Sequence, residues 1–323
     1  MDFESRIDLQ DLNDAITAIK AEIGKIIVGQ QQTIDLLLTA ILADGHVLIE
    51  GVPGVAKTLT AKLLARTVAT EFSRIQFTPD LMPSDVLGTS VFNPKHTDFE
   101  FRKGPIFSNI VLVDEINRAP AKTQAALFEV MEERQATVDG TTYPMSSPFI
   151  VIATQNPVEH EGTYRLPEAQ LDRFLFKIVV KYPSQEQEVE VLRGHHLRLN
   201  MAEAIANIQA ILTPEQLAEL RRKTHQVHVE DKLLEYIAQV VVQTRNNKSL
   251  FLGASPRASV ALLNSAKALA AIRGRDFVTP EEIQQLAPSV LRHRIVLTPE
   301  REMEGATPDD VVAQILQKIE VPR

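Results

Sequence analysis

Hydrophobic residues follow two different patterns in the two parts of this chain. In the first part, short runs of consecutive apolar residues alternate with stretches in which apolar residues recur at helical spacing. Nearly continuous apolar runs are typical of strands in a parallel sheet that helices cover on both faces. The pattern therefore predicts an α/β fold built on a doubly wound, five-stranded parallel sheet. The candidate strands are 46–49, 74–77, 110–113, 149–153 and 174–180.

Two segments interrupt this alternation and predict β-hairpins inserted into the α/β core. Residues 88–105 carry alternating aromatic residues on both sides of a polar turn. Residues 135–145 place Asp139-Gly140 between residues that favour strands. Because Asp-Gly between such residues is the strongest short-range signal of a hairpin, we expect one hairpin in each segment.

Beyond residue 184 the strand pattern disappears and helical patterns replace it. Several helix starts carry Ser or Thr directly before Pro, the order expected of an N-cap followed by the first helical residue. These capping residues are Thr213, Ser255, Thr279 and Thr307. We therefore expect an α/β domain over 1–184 and an all-α domain, with its connecting linker, over 185–323. The helical patterns cover 185–199, 213–225, 230–246, 256–273 and 308–319.

Composition narrows the class of protein. The 323 residues are 44% hydrophobic and 24% charged, as in ordinary globular proteins, and the absence of cysteine excludes disulfides and thiolate metal sites. The N-terminal segment is acidic, unlike a signal peptide, and no apolar run reaches the ~20 residues that span a bilayer. We expect a cytoplasmic protein without membrane insertion. Its net charge of −8 weighs against tight, non-specific binding to nucleic acid.

The first candidate for chemistry is the segment HVLIEGVPGVAKT at 46–58. An apolar strand, a glycine-containing turn and a helix that begins with Lys-Thr form the context of a phosphate-binding P-loop. Backbone N–H groups and the positive end of the helix dipole would hold the phosphates of ATP. Lys57 would reach the β- and γ-phosphates, and the Thr58 hydroxyl would bind Mg²⁺. The alternative is an ordinary turn between a strand and a helix.

One residue departs from the usual P-loop pattern. Ala56 stands where a second glycine is expected. Because a methyl group is small and alanine tolerates a helical N-terminal turn, we expect the phosphate cradle to be preserved. The candidate nucleotide-binding residues of the loop are Gly51, Val52, Pro53, Gly54, Val55, Ala56, Lys57 and Thr58.

A second apolar run, NIVLVDE at 109–115, ends in two adjacent carboxylates. Asp114 at the strand tip would hold Mg²⁺ together with Thr58, because hard cations prefer oxygen ligands. Glu115 would act as the general base on the attacking water. Such a run is often only a strand that enters a turn, but its pairing with a P-loop about 60 residues earlier indicates an ATPase.

Together these motifs resemble the MoxR-type AAA+ ATPases, over nearly the whole chain. The most specific stretch is VLVDEINRAPAKTQAALFEVMEER at 111–134, and Arg165 is one local departure, where such proteins often have proline. The resemblance implies an AAA+ core with a C-terminal helical lid domain, and ATP and Mg²⁺ as cofactors. The other matching segments are IIVGQ (26–30), EGVPGVAKT (50–58), FTPDLMPSDVLG (77–88), GPIF (104–107), ATQNP (153–157), LPEAQLDRF (166–174) and SPRA (255–258).

The resemblance also implies catalytic roles for residues outside the two motifs. Asn156 corresponds to the sensor-1 residue that helps to orient water, although Asn-Pro after a strand is often only a turn. Arg173 corresponds to the arginine finger that one subunit gives to the γ-phosphate of its neighbour. A salt bridge of Arg173 with Asp172 or Glu168 is the alternative.

Two further assignments follow from the resemblance. Arg257, at the start of a helix, corresponds to sensor 2, which reports the nucleotide state to the lid. An arginine at a helix start is unfavourable unless an anion lies near it, which supports this role. Val28 and Gly29 correspond to the stretch that lines the adenine pocket, and a plain helix break at Gly29 is the alternative.

Other polar clusters carry weaker signals. The pairs His195-His196 and His225-x-x-His228 have spacings found in metal sites, but no acidic or Cys partner completes a ligand set nearby. We therefore interpret these histidines as surface or core residues. Glu132-Glu133, late on a helix, is interpreted as a solvated face.

The leading hypothesis is an AAA+ machine that hydrolyses ATP and remodels other proteins. The resemblance implies a ring of identical subunits, a hexamer, and a chaperone-like role in activating partner complexes. Typical partners carry von Willebrand factor A-type domains, and cofactor or metal insertion is a typical task. The alternatives are a nucleic-acid-dependent motor, with a local basic patch at Lys95, Arg102 and Lys103, and a nucleotide switch that hydrolyses ATP slowly.

Overall fold

The computed structural model of the chain describes residues 7–52, 54–156, 164, 166–197 and 200–322. Its helices are α1 (Gln10–Gly24), α2 (Gln31–Leu42), α3 (Lys57–Thr67), α4 (Pro83–Leu87), α5 (Ala121–Glu133), α6 (Glu168–Leu171), α7 (Gln185–Leu197), α8 (Met201–Ala206), α9 (Pro214–His225), α10 (Asp231–Arg245), α11 (Pro256–Ile272), α12 (Pro280–Leu291), α13 (Pro299–Met303) and α14 (Pro308–Lys318). Its strands are β1 (His46–Gly51), β2 (Phe72–Gln76), β3 (Gly88–Asn93), β4 (Asp98–Lys103), β5 (Ile110–Asp114), β6 (Gln135–Val138), β7 (Thr141–Pro144), β8 (Ile150–Gln155), β9 (Phe174–Val180), β10 (Leu250–Leu252) and β11 (Val296–Leu297).

Five of these strands form one parallel sheet in the order β2-β5-β8-β1-β9. They are the strands that the apolar runs predict, with bounds that shift by up to two residues. Strand β5 is buried along its whole length, as expected of an inner strand with helices on both faces. The predicted doubly wound parallel sheet is therefore confirmed.

Each face of the sheet has its own hydrophobic core. Along β5, Ile110 and Leu112 join the core formed with α1, α2 and α3, whereas Val111 and Val113 join the core formed with α5. This alternation follows from strand geometry, in which successive side chains point to opposite faces. Because both faces are packed with apolar side chains, the strand is a continuous apolar run in the sequence.

The common direction of the strands gives the sheet two distinct edges. Register pairs join His46 to Phe174 at one end of β1 and β9, and Gly51 to Val180 at the other end. We call the end where the strands begin the amino edge and the end where they finish the carboxyl edge. In open α/β sheets ligands bind beyond the carboxyl edge, where loops follow the strands.

Both predicted hairpins are confirmed, since β3 pairs with β4 and β6 pairs with β7. Asp139 and Gly140 form the turn of the second hairpin with φ angles of 51° and 78°, as a type I′ turn requires. Phe101 of the first hairpin stacks on Tyr143 of the second, with ring centroids 4.2 Å apart. The two insertions therefore contact each other.

The second part of the chain is mainly helical, as predicted. Thr213, Ser255 and Thr307 each accept a hydrogen bond from a backbone N–H in the first turn of the following helix. Thr279 differs, because its N–H and its hydroxyl both donate to the Glu282 carboxylate. Within the described ranges, every helix is too short or too polar to cross a bilayer.

The sequence-based description of this helical part is incomplete in two respects. Strands are not absent beyond residue 184, because β10 pairs with β11 in a two-stranded ribbon. Strands of three and two residues are too short to leave a periodic signal. The predicted helical ranges also omit α8, α13 and the body of α12, although the start of α12 at Thr279-Pro280 is predicted. Helix α12 contains Pro288, a residue that normally interrupts a helical pattern, and α8 and α13 are short.

One buried histidine ties the first strand to both neighbouring elements. His46 is 4% exposed at the start of β1. Its Nδ1 accepts from the Val151 N–H at 2.9 Å, which leaves Nε2 to donate to the Met131 carbonyl at 3.1 Å. Burial, together with the smaller effect of the positive charge of Arg134, lowers the pKa of His46 to about 3. The imidazole is therefore neutral in the folded protein at neutral pH.

We expect His46 to make the protein less stable in mild acid. An unfolded histidine takes up a proton below its ordinary pKa of about 6.5, whereas the folded His46 does not until about pH 3. Between about pH 7.5 and pH 5.5 this difference should remove roughly 1.4 kcal/mol from the free energy of unfolding. Urea unfolding at both pH values measures this change. The free energy of unfolding of His46→Gln should fall by about this amount less than that of the wild type, whereas the exposed-site control His228→Gln should fall as the wild type does. The same pH dependence in His46→Gln and the wild type would contradict the neutral, buried histidine.

Candidate functional site

The predicted P-loop lies at the carboxyl edge of the sheet, between β1 and α3. Of its candidate residues, Pro53 lies outside the described residues. The Lys57 ammonium donates to the Gly51 carbonyl at 2.7 Å, so the lysine is folded back over the loop. Gln30, at the N-terminus of α2, donates its side-chain amide to the Val55 carbonyl at 2.9 Å. The loop is therefore braced from within and from α2.

Ala56 adopts a conformation that the sequence does not predict. It is the N-cap of α3 with φ 56° and ψ 24°, in the left-handed region, and not part of a helical turn as expected. A left-handed conformation costs a residue with a Cβ about 1–2 kcal/mol, a cost that the usual glycine avoids. The loop thus keeps a glycine-like backbone at Ala56 at the expense of local strain.

The two predicted metal ligands lie side by side. The Thr58 hydroxyl and Asp114 Oδ2 are 3.5 Å apart. Asp114 is 7% exposed, and its Oδ1 accepts from the Thr154 hydroxyl at 3.1 Å. Arg74 of β2 donates to Asp114 Oδ2 at 2.6 Å. A hydroxyl and a carboxylate fit Mg²⁺, which keeps several waters and needs few protein ligands when phosphates supply the rest.

Glu115 follows Asp114 but has different partners. Its carboxylate accepts from Gln76 Nε2 at 2.8 Å and from Arg118 at 2.9 Å. Its backbone is left-handed, with φ 56° and ψ 51°, and its N–H donates to the Thr154 hydroxyl at 3.1 Å. Strained non-glycine residues of this kind are found most often at functional sites. The turn directs the two adjacent carboxylates into different surroundings, as the sequence predicts.

Asn156 directly follows β8, one residue beyond the register pair that joins Gln155 to Glu50 of β1. Strand β8 lies between β5 and β1. Asn156 is 9% exposed. The structure therefore brings Asn156 to the carboxyl edge, between the strand that carries Asp114 and the strand that leads into the P-loop.

A cavity of about 550 Å³ opens beside the P-loop. Val28 lines it, as predicted for an adenine pocket, whereas Gly29 occupies the left-handed turn next to it with φ 68°. His195 is exposed, in agreement with its interpretation as a surface residue, and it also lines the cavity. The mostly apolar wall suits a flat aromatic base. The lining residues include Ile26, Ile27, Val28, Gln30, Val55, Leu59, Tyr182, Leu192, His195 and Met201.

Arg173 lies at the opposite edge of the sheet from the P-loop. It immediately precedes β9, whose first residue pairs with His46 and whose last residue pairs with Gly51. The seven residues of β9, at about 3.3 Å each, separate these two levels by roughly 20 Å. An arginine side chain does not span this distance. The structure therefore does not bring Arg173 to the P-loop of its own chain.

Arg257 lies beside Arg173 and not beside the P-loop. Its guanidinium donates to Glu132 at 2.7 Å, and the same carboxylate lies 3.7 Å from the Arg173 Nε. Glu132 lies in the last turn of α5 at the amino edge, one residue after Met131, whose carbonyl contacts His46. Glu132 is exposed, as its interpretation as part of a solvated face predicts, but its carboxylate also pairs with two arginines. Its carboxylate is the anion near the start of α11 that Arg257 requires.

Comparison with known proteins identifies the family. Residues 46–176 match the ATPase family associated with various cellular activities, and residues 242–315 match the AAA lid domain. The chain is 46% identical to Chaperone MoxR1 of Mycobacterium tuberculosis, over 94% of this chain and 81% of that protein. It is 47% identical to the protein YeaC of Bacillus subtilis, over 97% of each chain. The chain belongs to the MoxR-type AAA+ ATPase family.

A solved structure agrees with this assignment. The chain matches the crystal structure of a Cytophaga hutchinsonii protein classed as an ATPase with a TM-score of 0.89 and 43% identity, over 97% of each chain. The AAA+ fold with its helical lid domain is thereby confirmed for this MoxR-type ATPase.

Sequence reasoning missed the residues that hold the candidate catalytic groups in this MoxR-type ATPase. Gln76 and Arg118 hold the Glu115 carboxylate, and Arg74 holds Asp114. Arg74 and Gln76 lie on β2. In the sheet β2 is the neighbour of β5, which carries Asp114, although the two strands are far apart in the chain. The pairing of Gln76 with Asp114 in the parallel register is the signal that could have found them, once the strand order was known.

Proposed function

We propose that this MoxR-type ATPase hydrolyses ATP with Mg²⁺ at sites shared between neighbouring subunits of a ring, and that hydrolysis drives the remodelling of partner proteins. One observation carries the proposal: the P-loop lies at the carboxyl edge of the sheet, whereas Arg173 and Arg257 lie at the amino edge. A second copy of the chain, docked with its amino edge against this carboxyl edge, would bring its Arg173 and Arg257 to the bound phosphates.

The groups at the carboxyl edge would bind the nucleotide within one subunit. Backbone N–H groups of residues 54–58, at the start of α3, would hold the phosphates, and Lys57 would exchange the Gly51 carbonyl for phosphate oxygens. Thr58 and Asp114 would hold Mg²⁺, which neutralises charge on the phosphates. Val28 and its neighbours in the cavity would receive the adenine ring. Gly29 would shape the turn that presents Val28.

Glu115 and Asn156 would act on the attacking water. The Glu115 carboxylate would take its proton, and the Asn156 amide would orient it from the adjacent strand. Gln76 and Arg118 donate to the same carboxylate, so they would fix its position until water and phosphate arrive.

Arg173 and Arg257 would act on the γ-phosphate of the neighbouring subunit. Both guanidiniums already converge on one carboxylate, that of Glu132, which is an anion of the kind that a phosphate could replace. A cationic group delivered across the interface stabilises charge that develops on the transferred phosphoryl group. Arg257 would then respond to the neighbour's nucleotide rather than to its own.

The remodelling part of the proposal rests on the relatives and on the two hairpins. The chain is 46% identical to a protein named as a chaperone. Phe92 and Phe99 of the first hairpin are 49% and 67% exposed and form an edge-to-face pair at 5.5 Å, which suits contact with another protein. We further propose a hexameric ring, partners with von Willebrand factor A-type domains, and a task in cofactor or metal insertion.

The structure does not favour a nucleic-acid motor. The first hairpin carries Lys95 in its turn and Arg102 and Lys103 on β4, but the acidic residues Asp98 and Glu100 lie on β4 as well. A groove that tracks a phosphate backbone needs a continuous positive surface. Stimulation of the ATPase by DNA, with none by candidate partner proteins, would contradict the remodelling proposal.

We expect Glu115→Gln to separate ATP binding from hydrolysis. The amide keeps the size of the side chain but cannot accept the proton of water, so turnover should fall at least ~10²-fold while ATP affinity stays within about twofold. Steady-state hydrolysis and equilibrium binding of a fluorescent ATP analogue measure the two quantities. The control Glu235→Gln, on an exposed face of α10, should match the wild type in both. A parallel loss of binding would show that Glu115 is structural or a metal ligand.

We expect Arg173→Ala and Lys57→Ala to complement each other in mixed rings. Arg173→Ala should bind ATP but lose hydrolysis by a factor on the order of 10³, because its neighbour lacks the finger. Lys57→Ala should bind ATP poorly. In a mixture, some interfaces join an intact P-loop to an intact Arg173, so ATPase activity should return.

Exchange of subunits must be verified in this experiment by co-purification of differently tagged copies. Arg222→Ala, at an exposed position of α9, serves as the control and should hydrolyse ATP at the wild-type rate. If rings shown to contain both variants stay inactive, Arg173 does not act across the interface.

A further inference from the structure

A buried arginine of the helical domain holds the segment that carries Arg173. Arg294 lies between α12 and β11, and its side chain is 3% exposed. Guanidinium groups have five N–H donors in a fixed planar fork. All five are satisfied here: Nε by the Asp172 carboxylate at 2.8 Å, and the others by the carbonyls of Asp172, Phe174, Leu175 and Val290.

Three of these five bonds end on the two residues that flank Arg173. Arg294 binds the carboxylate and the carbonyl of Asp172, and it donates to the Phe174 carbonyl at 2.6 Å. His293 also contacts the Phe174 carbonyl, through Nε2 at 2.9 Å. The backbone on both sides of Arg173 is therefore fixed to the helical domain.

The same carboxylate also holds the segment that carries Arg257. Ser255, the N-cap of α11, donates its hydroxyl to Asp172 Oδ2 at 2.8 Å and accepts from the Arg257 N–H at 3.2 Å. One oxygen of Asp172 is thus bound to Arg294 and the other to Ser255. This carboxylate therefore links the segment of Arg173 to the segment of Arg257.

The ion pairs of the two arginine side chains with Glu132 are much weaker, although Arg173 also donates to the Phe128 carbonyl. The side chains of Arg257 and Glu132 are 53% and 35% exposed, and the distance from Arg173 to Glu132 is 3.7 Å. Ion pairs at such exposed positions contribute little, so a phosphate can replace Glu132. The buried bonds of Arg294 cannot be exchanged in this way, because unpaired polar groups in the interior are costly.

We propose that Arg294 is a positioning residue that joins the segments of Arg173 and Arg257 to the helical domain as one rigid unit. Both guanidiniums then reach the same phosphate of the neighbouring subunit, and a movement of α12 shifts both together. The inference rests on the proposed action of Arg173 across the interface. Its consequence is that a movement of α12 in one subunit changes hydrolysis in the next subunit.

Arg294→Lys tests this assignment. Lysine keeps the positive charge, but its single ammonium cannot replace a planar fork that bridges carbonyls on two sides. We expect ATP binding of the variant within about twofold of the wild type and ATPase activity at least tenfold lower. Arg292→Lys is the matched control: Arg292 pairs with Asp309 at 2.9 Å and makes no recorded contact with residues 172–174, so its activity should match the wild type.

Mixed rings separate positioning from a general loss of structure. Mixed with Lys57→Ala, which supplies a well-placed Arg173, the Arg294→Lys subunit should regain hydrolysis at its own intact P-loop. Mixed with Arg173→Ala, it should stay inactive, because neither variant supplies a well-placed finger. The reverse pattern would place the effect of Arg294 on its own P-loop and overturn the inference. Recovery in neither mixture would also overturn it, because the defect would then not be confined to the finger.

Two further arms complete the test. The mixture of Arg173→Ala with Lys57→Ala tests the proposed function by itself. If that mixture stays inactive, the proposed function fails. If it recovers activity and the Arg294→Lys mixtures do not show the expected pattern, only the role of Arg294 fails. If Arg294→Lys does not fold, Asp172→Asn, which keeps the shape of the side chain but loses its charge, takes its place. It should give the same pattern of recovery, and wild-type activity of Asp172→Asn would overturn the role of this contact.

Discussion

The common direction of the strands in one parallel sheet determines where the candidate functional residues of this ATPase lie. Five strands run in the same direction, so the groups that follow them and the groups that precede them lie at different edges. Lys57, Asp114, Glu115 and Asn156 are at the carboxyl edge, and Arg173 is at the amino edge about 20 Å away. Within one subunit, therefore, the candidate groups at the carboxyl edge and Arg173 stay apart.

Charge pairs within the subunit hold the separated groups in place. Arg74 pairs with Asp114, Arg118 with Glu115, and Glu132 with Arg257. Each pair has at least one partner that is one-third exposed or more, and such pairs typically contribute less than about 1 kcal/mol. They orient the side chains, and breaking them costs little free energy when nucleotide or a neighbouring subunit offers a better partner. The buried bonds of Arg294 and His46 fix the backbone, and the exposed pairs leave the side chains free to exchange.

The fold was predictable because burial on both faces leaves a clear signal in the sequence. The continuous apolar run of β5 and the Asp139-Gly140 turn have direct physical causes, so strand and hairpin follow from local pattern alone. The positions of the candidate P-loop, Asp114 and Glu115 were predictable for the same reason, since each is adjacent to a strand. Their functional roles stay predictions. Arg74 and Gln76 were not predictable, because their contacts depend on the order of strands in the sheet. The left-handed conformation of Ala56 was not predictable either, because the loop requires this conformation and the alanine itself does not favour it.

Dependence of hydrolysis on assembly is the central claim, and the concentration dependence of the specific ATPase activity tests it most directly. Activity per subunit would be measured across a dilution series, with sedimentation velocity on the same samples. The account predicts that activity per subunit falls in proportion to the assembled fraction and vanishes where only monomer sediments. Constant activity per subunit in samples that contain only monomer would show that one chain completes its own catalytic site.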